Sequence, residues 1–186
     1  MSLKFALLGL VSIRPASGYD LKRSIERSIY YIWNATSPQI YSTLRKLRDE
    51  GFITTEYLPQ EGKPDKQIHT ITDRGHDALY KFVSEPIRSS ITRDEVLLRI
   101  FLGNFTDDRI MREELRAYLE RIVEDRTYLE SVETRITAHP GDHLEARKYQ
   151  LLSLRVRVAQ YRAMEAELSL FLAAEGKDIL GGAGSQ

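Results

Sequence analysis

Gln39, Ser42, Arg45 and Lys46 are the residues whose types and spacing point most directly to chemistry. At roughly 100° per residue of helix they lie away from a narrow apolar stripe made by Ile40, Leu44 and Leu47. Short amide and hydroxyl side chains can hydrogen-bond to base edges, and long cationic ones can neutralise phosphates. A solvated face is the commoner account of such a pattern on an isolated helix, so the neighbouring elements have to decide. The helix is well bounded. Ser37 is a natural N-cap, Pro38 fits the first helical position, and Gly51 supplies a left-handed exit into Phe52-Ile53-Thr54-Thr55.

The elements around this helix give its polar face a use. Lys4 to Ile13 is apolar nearly all round and reads as a buried helix, broken by Arg14-Pro15-Ala16-Ser17-Gly18. A second helix spans Tyr19 to Ile32, with Leu21, Ile25, Ile29 and Ile32 on one face. Trp33 to Thr36 connects it to the helix Ser37–Glu50. Phe52 to Leu58 favours a strand, Pro59 to Lys66 is turn-rich, and Gln67 to Thr72 alternates as a return strand. Thr72-Asp73-Arg74-Gly75 opens a fourth helix to about Glu85.

Three helices, a hairpin tipped with Lys63 and Lys66, and another helix are the order of a winged helix-turn-helix. There the third helix enters the major groove of DNA and the hairpin reaches the adjacent backbone. On that geometry Gln39, Ser42, Thr43 and Lys46 are nearest the bases, with Ser37 at the helix start. Tyr41, Arg45, Lys63 and Lys66 meet phosphates, and Tyr19 presents its hydroxyl to the backbone.

Phe5 to Ile13 followed by Gly18-Tyr19-Asp20-Leu21, then Trp33, Ser37-Pro38-Gln39-Ile40-Tyr41, Leu44-Arg45-Lys46-Leu47 and Gly51-Phe52-Ile53, resembles the PadR family of bacterial transcriptional regulators. Gly62-Lys63-Pro64-Asp65-Lys66 and Ile71-Thr72-Asp73-Arg74-Gly75 resemble that family's wing and the start of its next helix. Three positions depart from the family pattern. Pro38 stands where glycine is more frequent, His69 where a wing-strand tyrosine is common, and Phe82 near a frequent tryptophan.

In the second half, Thr92-Arg93-Asp94-Glu95 reads as a capping box with Thr92 as N-cap. The helix it starts, Val96 to Leu102, is so apolar that it is expected to be buried. TRDEVLLRIFL resembles the start of the C-terminal domain in the PadR subfamily related to virulence activators. Thr106 is expected to cap the next helix, which runs to about Thr137. It carries Leu115, Tyr118, Ile122, Asp125, Leu129, Val132 and Ile136 in three- and four-residue steps. His139-Pro140-Gly141-Asp142 ends it. A last helix, His143 to Glu175, carries Leu144, Leu151, Leu154, Val158, Tyr161, Glu165, Leu168 and Leu172 in the same rhythm. Two such helices joined by a tight turn make a long antiparallel pair whose apolar edge suits dimerisation, although a pair packed within one chain is the plainer alternative.

The expected fold is mainly α with a small β-hairpin. A winged helix-turn-helix over 1–86 precedes a C-terminal helical dimerisation domain over 92–175 and a flexible tail over 176–186. The expected function is a homodimeric, sequence-specific regulator, acting as a repressor on a pseudo-palindromic DNA operator. Its rivals are a winged-helix module that binds only protein, and a small-molecule-binding helical protein without DNA binding. The resemblance also implies a small aromatic or cationic effector. Tyr30, Trp33, Phe101, Tyr118 and Tyr161 could line its site, but each is equally explained by packing.

Composition narrows the rest. The 186 residues contain no cysteine, which removes disulfides and thiolate chemistry. Net charge is zero, with +2 over residues 1–86 and −2 over 87–186, so any basic surface must come from local clustering. No Gly-rich phosphate loop, GxSxG or HExxH occurs, and the chain is expected not to be an enzyme. His139 and His143 are four apart, but Pro140-Gly141 denies them a shared helical face, so no metal or other cofactor is expected. No run reaches the roughly 18 apolar residues of a membrane span, and a cytoplasmic location is expected.

Overall fold

A computed structural model describes residues 2–33, 35–60, 62, 65–87, 94–138 and 144–174. The chain divides into two compact units, Met1–Ser90 and Ile91–Gln186.

The first unit is a helical layer on a small sheet. Helices α1 (Ser2–Ile13), α2 (Gly18–Ser24) and α3 (Ser37–Asp49) precede strands β2 (Ile53–Leu58) and β3 (Lys66–Ile71), and α4 (Asp73–Ser84) follows. Between α1 and α2, Ala16–Ser17 forms β1, which pairs antiparallel with His69 and Ile68 of β3. The expected hairpin is therefore two-thirds of a three-stranded sheet of order β1-β3-β2. A two-residue strand has no periodicity of its own, and only its pairing with β3 defines it.

The second helix is also shorter than expected. After Ser24 the chain enters a π-helical turn, Ile25–Ile29, and the helix stops there. Leu21 and Ile25 are buried, whereas Ile32, expected on the same face, is 52% exposed because the helix no longer carries it.

Leu7, Leu8 and Val11 of α1 pack with Leu21, Ile25, Ile40, Leu44, Leu47 and Ile53 in one core. Each fully buried leucine contributes about 2 kcal/mol relative to exposure. Phe82 stacks flat on Phe5 at 3.9 Å between ring centroids, joining α4 to α1. The exit from α3 is as expected, with Gly51 at φ 73°. Thr72 locks this corner: its hydroxyl donates to the Gly51 carbonyl at 2.8 Å and accepts the Gly75 N–H, capping α4.

The second unit contains α5 (Glu95–Phe101), a 3₁₀ turn (Gly103–Phe105), α6 (Asp108–Ala138) and α7 (Leu144–Ala173). Its caps differ from expectation. Asp94 is the N-cap of α5, its carboxylate accepting the N–H groups of Val96 and Leu97 at 2.9 and 3.1 Å. Thr92 lies outside the described residues. Asp107, not Thr106, accepts the Arg109 N–H at the start of α6. A carboxylate placed next to the first turn is the stronger acceptor and also suits the helix dipole.

The long helices pair antiparallel as their stripes predict. Leu115, Ile122, Leu129 and Val132 of α6 are buried, as are Leu154, Val158 and Leu168 of α7. Tyr118 and Tyr161 pack against this core. Arg126 bridges the pair, reaching Glu130 at 2.8 Å and Glu165 at 2.7 Å. Helix α5 is not buried in the single chain. Leu97, Leu98, Ile100 and Leu102 are all exposed and Phe101 is 81% exposed, because among the described residues no layer covers its apolar sides. Among the described residues no helix is long and apolar enough to cross a membrane.

Candidate nucleic-acid interface

Helix α3 begins one residue earlier in its capping logic than the sequence suggests. Thr36 is the N-cap, Ser37 is already helical, and Pro38 falls within the first turn. The side-chain oxygen of Gln39 accepts the Thr36 backbone N–H at 2.9 Å, the returning half of a capping box. Threonine at Cap and glutamine at N3 together outcompete Ser37, which lacks a partner three residues on. Gln39 thus has one end committed to the helix start and its amide N–H₂ group left outward.

Gln39, Ser42, Arg45 and Lys46 are exposed, and Thr43 is half-buried. The hydroxyls of Ser42 and Thr43 donate to the Gln39 carbonyl at 3.0 and 2.7 Å. Each keeps lone pairs free to accept a hydrogen bond. Among the described residues neither Arg45 nor Lys46 has an ion-pair partner, so both charges are available to an anion.

Tyr41 is 51% exposed and leans across to α2. A Cβ added at Gly18 would lie 2.5 Å from Tyr41 Cε1, so the ring occupies the space that the glycine leaves. Tyr19 is exposed, with the Arg23 guanidinium 5.8 Å from its ring centroid.

On the hairpin, Lys63 lies outside the described residues. Lys66 is placed, but its ammonium sits 3.3 Å from Asp20. The Asp20 carboxylate also accepts the Ser17 hydroxyl at 2.6 Å and the Ser17 backbone N–H at 3.4 Å, the latter closing a capping box on α2. That hydroxyl, followed by Lys66, holds the Asp20 carboxyl below the usual carboxylate range. Lys66 therefore ties β3 to α2, and its charge is shared rather than free.

The structure also brings Arg48, Thr55 and Gln67, to which the sequence assigned no role, beside residues it had singled out. Tyr41, Leu44, Arg45 and Arg48 of α3 border a recess of about 300 Å³, with Thr55 of β2 and Gln67 and His69 of β3 opposite. His69 is only 5% exposed, and its Nδ1 lies 3.0 Å from the Thr55 hydroxyl. Burial, and then the nearby Arg48 guanidinium, lower the His69 pKa from its ordinary value. Arg48 itself pairs with Asp49 at 3.0 Å. Period-two alternation in β3 and the flank of the α3 wheel could have brought Gln67, His69 and Arg48 together.

Other chemistry finds little support. Among the described residues no three His, Asp or Glu side chains converge as a metal site. His139 and His143 lie outside those residues. The acidic pairs serve helix ends and ion pairs: Asp49 holds Arg48, and Asp108 holds Arg112 at 2.7 Å.

The fold and this polar helix define a winged helix-turn-helix regulator. Residues 7–81 match the transcriptional regulator PadR-like family, and residues 92–175 match the virulence activator alpha C-terminal family. The chain is 30% identical over 166 residues to Probable transcriptional regulator Rv1176c of Mycobacterium tuberculosis, covering 83% of this chain and 87% of that one. It is 37% identical over 101 residues to negative transcriptional regulator PadR of Bacillus subtilis, covering 53% and 55%. The structure of smu.1604c from Streptococcus mutans superposes with a TM-score of 0.80 at 30% identity, covering 92% of this chain and 98% of that one. Bacillus subtilis PadR in complex with operator DNA superposes at 0.77 and 25%, covering 93% and 98%. The chain belongs to the PadR-like family of transcriptional regulators.

Proposed function

We propose that this regulator binds a pseudo-palindromic operator as a homodimer and represses transcription, with no catalytic activity of its own, in the cytoplasm. The observation that carries the reading is the outer face of α3, where Arg45 and Lys46 have no ion-pair partner among the described residues and lie beside exposed Gln39 and Ser42. The operator complex and the negative regulation named for Bacillus subtilis PadR support the same reading.

Residues 1–86 serve as the DNA-binding domain, residues 92–175 as the dimerisation domain and 176–186 as a tail. Gln39, Ser42, Thr43 and Lys46 meet base edges, with Ser37 at the helix entry. Tyr19, Tyr41, Arg45 and Lys63 meet the backbone. Lys66 joins them once it releases Asp20. Dimerisation is supported by the bare apolar surface of α5 and by Tyr149, Leu152 and Val156, an exposed stripe on α7 at three- and four-residue spacing. A symmetric dimer sets the recognition helices one DNA turn apart, roughly 34 Å, or a multiple. A small-molecule effector would act by changing that spacing.

The test is a salt-dependent mobility-shift assay on duplex DNA from upstream of the regulator's own gene. Wild-type protein is expected to give a specific band that Lys46→Ala weakens, with a shallower salt dependence by about one counterion. No specific band for the wild type would overturn the reading in favour of a protein-only or ligand-only module.

A further inference from the structure

The recess between α3 and the β2–β3 hairpin is lined unlike a small-molecule pocket. Its volume, about 300 Å³, is at the lower limit for such pockets, which are mostly apolar. Here two guanidiniums, two hydroxyls, an amide and an imidazole line the recess beside Leu44, and none of the lining residues is a carboxylate. The cation Arg45 has no ion-pair partner among the described residues. Arg48 pairs with its exposed sequence neighbour Asp49, an arrangement of small stabilising value, and the Tyr57 hydroxyl also lies beside it.

His69 gives the recess a fixed point. The ring is almost wholly buried, yet Thr55 is its sole hydrogen-bond partner among the described residues, through Nδ1. From α3 the ring faces Tyr41, Arg45 and Arg48, from β2 Thr55, and from β1 the uncharged Ala16. Where the Thr55 hydroxyl donates to Nδ1, the proton of the neutral ring resides on Nε2, and His69 is one of the residues that line the recess.

We propose that this recess holds one backbone phosphodiester of bound DNA, with Arg45 and Arg48 supplying charge and His69 Nε2–H supplying a directed hydrogen bond. The site rests on the DNA-binding reading above and adds Arg48 and His69 to it as phosphate-binding residues. A guanidinium fork matches two phosphate oxygens, and a donor already immobilised by burial loses little freedom on binding. The recess lies between the two elements that a winged helix applies to DNA. A phosphate there sets the angle of α3 against the hairpin, and so where Gln39 and Ser42 fall along the groove.

The experiment compares full-length wild type, Arg48→Gln, His69→Gln and Lys46→Ala on the same upstream duplex. Circular dichroism checks that each variant is folded. Arg48→Gln is expected to weaken binding about tenfold and to reduce the salt slope by about one. Arg48→Lys should recover part of the affinity. Wild-type affinity should rise on acidification, because a phosphate neighbour favours the imidazolium, and His69→Gln should lose that rise. Wild-type behaviour of both Arg48→Gln and His69→Gln, alongside weakened Lys46→Ala, overturns the phosphate site and leaves the DNA reading intact. No binding by any form, wild type included, overturns the DNA reading itself. Inorganic phosphate separates the two sources of the anion. Movement of the His69 ring resonances by DNA but not by phosphate supports a backbone site. Saturation by phosphate without loss of DNA affinity overturns it.

Discussion

The side-chain oxygen of Gln39 accepts the Thr36 N–H, so the residue proposed to read base edges also closes the first turn of α3. These two roles can be separated. Gln39→Ala should lower stability by about 0.5–1 kcal/mol in urea titration, through loss of the capping partner. Gln39→Glu keeps the acceptor and suits the helix N-terminus, so stability should hold. Operator binding should weaken in both variants, and equal stability losses in the two would argue against the capping role.

Gly18 and Tyr41 are coupled by space. A methyl at position 18 meets the Tyr41 ring at 2.5 Å, and that ring is half exposed and able to move. Gly18→Ala is expected to cost about 1 kcal/mol, a cost relieved when combined with Tyr41→Ala. Additive losses in thermal denaturation of the double variant would refute the contact as the cause.

His69 makes stability depend on pH with a definite sign. Its folded-state pKa lies below the ordinary 6.5, through burial first and Arg48 second. The unfolded chain therefore binds the proton more readily. The contribution of His69 is complete above about pH 6.5 and is lost as pH falls toward and through the folded pKa. Urea midpoints should fall on acidification in this window, and His69→Gln should flatten that part of the profile.

Arg126 is the centre of the α6–α7 ion pairs. Its side chain is 20% exposed, and those of Glu130 and Glu165 are 29% and 30% exposed. Arg126→Ala should cost about 1 kcal/mol or less, and less still at high salt. Glu130 has its carboxyl lowered by the Arg162 hydrogen bond and then by Arg126. Its stabilisation is present above the ordinary 4.5 and is lost as pH falls through the lowered folded value. Glu130→Gln should remove that loss from the acid-denaturation curve.

The exposed stripe Tyr149, Leu152 and Val156 supplies a test of assembly. Leu152→Glu with Val156→Arg is expected to give a folded monomer by light scattering where wild type gives a dimer. An unchanged mass would place the interface elsewhere.

Much of this architecture is legible from local pattern. The Ile40-Leu44-Leu47 stripe, the Gly51 exit, the two return strands and the heptad-like rhythm of α6 and α7 are each written in the spacing of a few side chains. What escapes is set by pairing at a distance. Strand β1 exists because Ala16 and Ser17 meet His69 and Ile68. Lys66 reads as a free cation until Asp20 is placed beside it. Arg48, Gln67 and His69 converge only once α3 packs beside β3. The apolar run of α5 suggests burial, but hydrophobicity does not say which chain provides the cover. For the individual DNA contacts, composition restricts the residue types and leaves the register open.

The π turn at Ile25–Ile29 bears on how this chain tolerates insertion and deletion. A π turn holds one residue more than the α-helical turn it replaces, and here it forms the last turn before the helix ends. Removing one residue between Ile25 and Ile29 would restore regular winding and rotate everything beyond it by roughly 100°. Tyr30 and Trp33 would then face new directions while Leu21 and Ile25 kept theirs. A single codon lost or gained here re-aims the entrance to α3 and also shifts Ile29, which packs against the core.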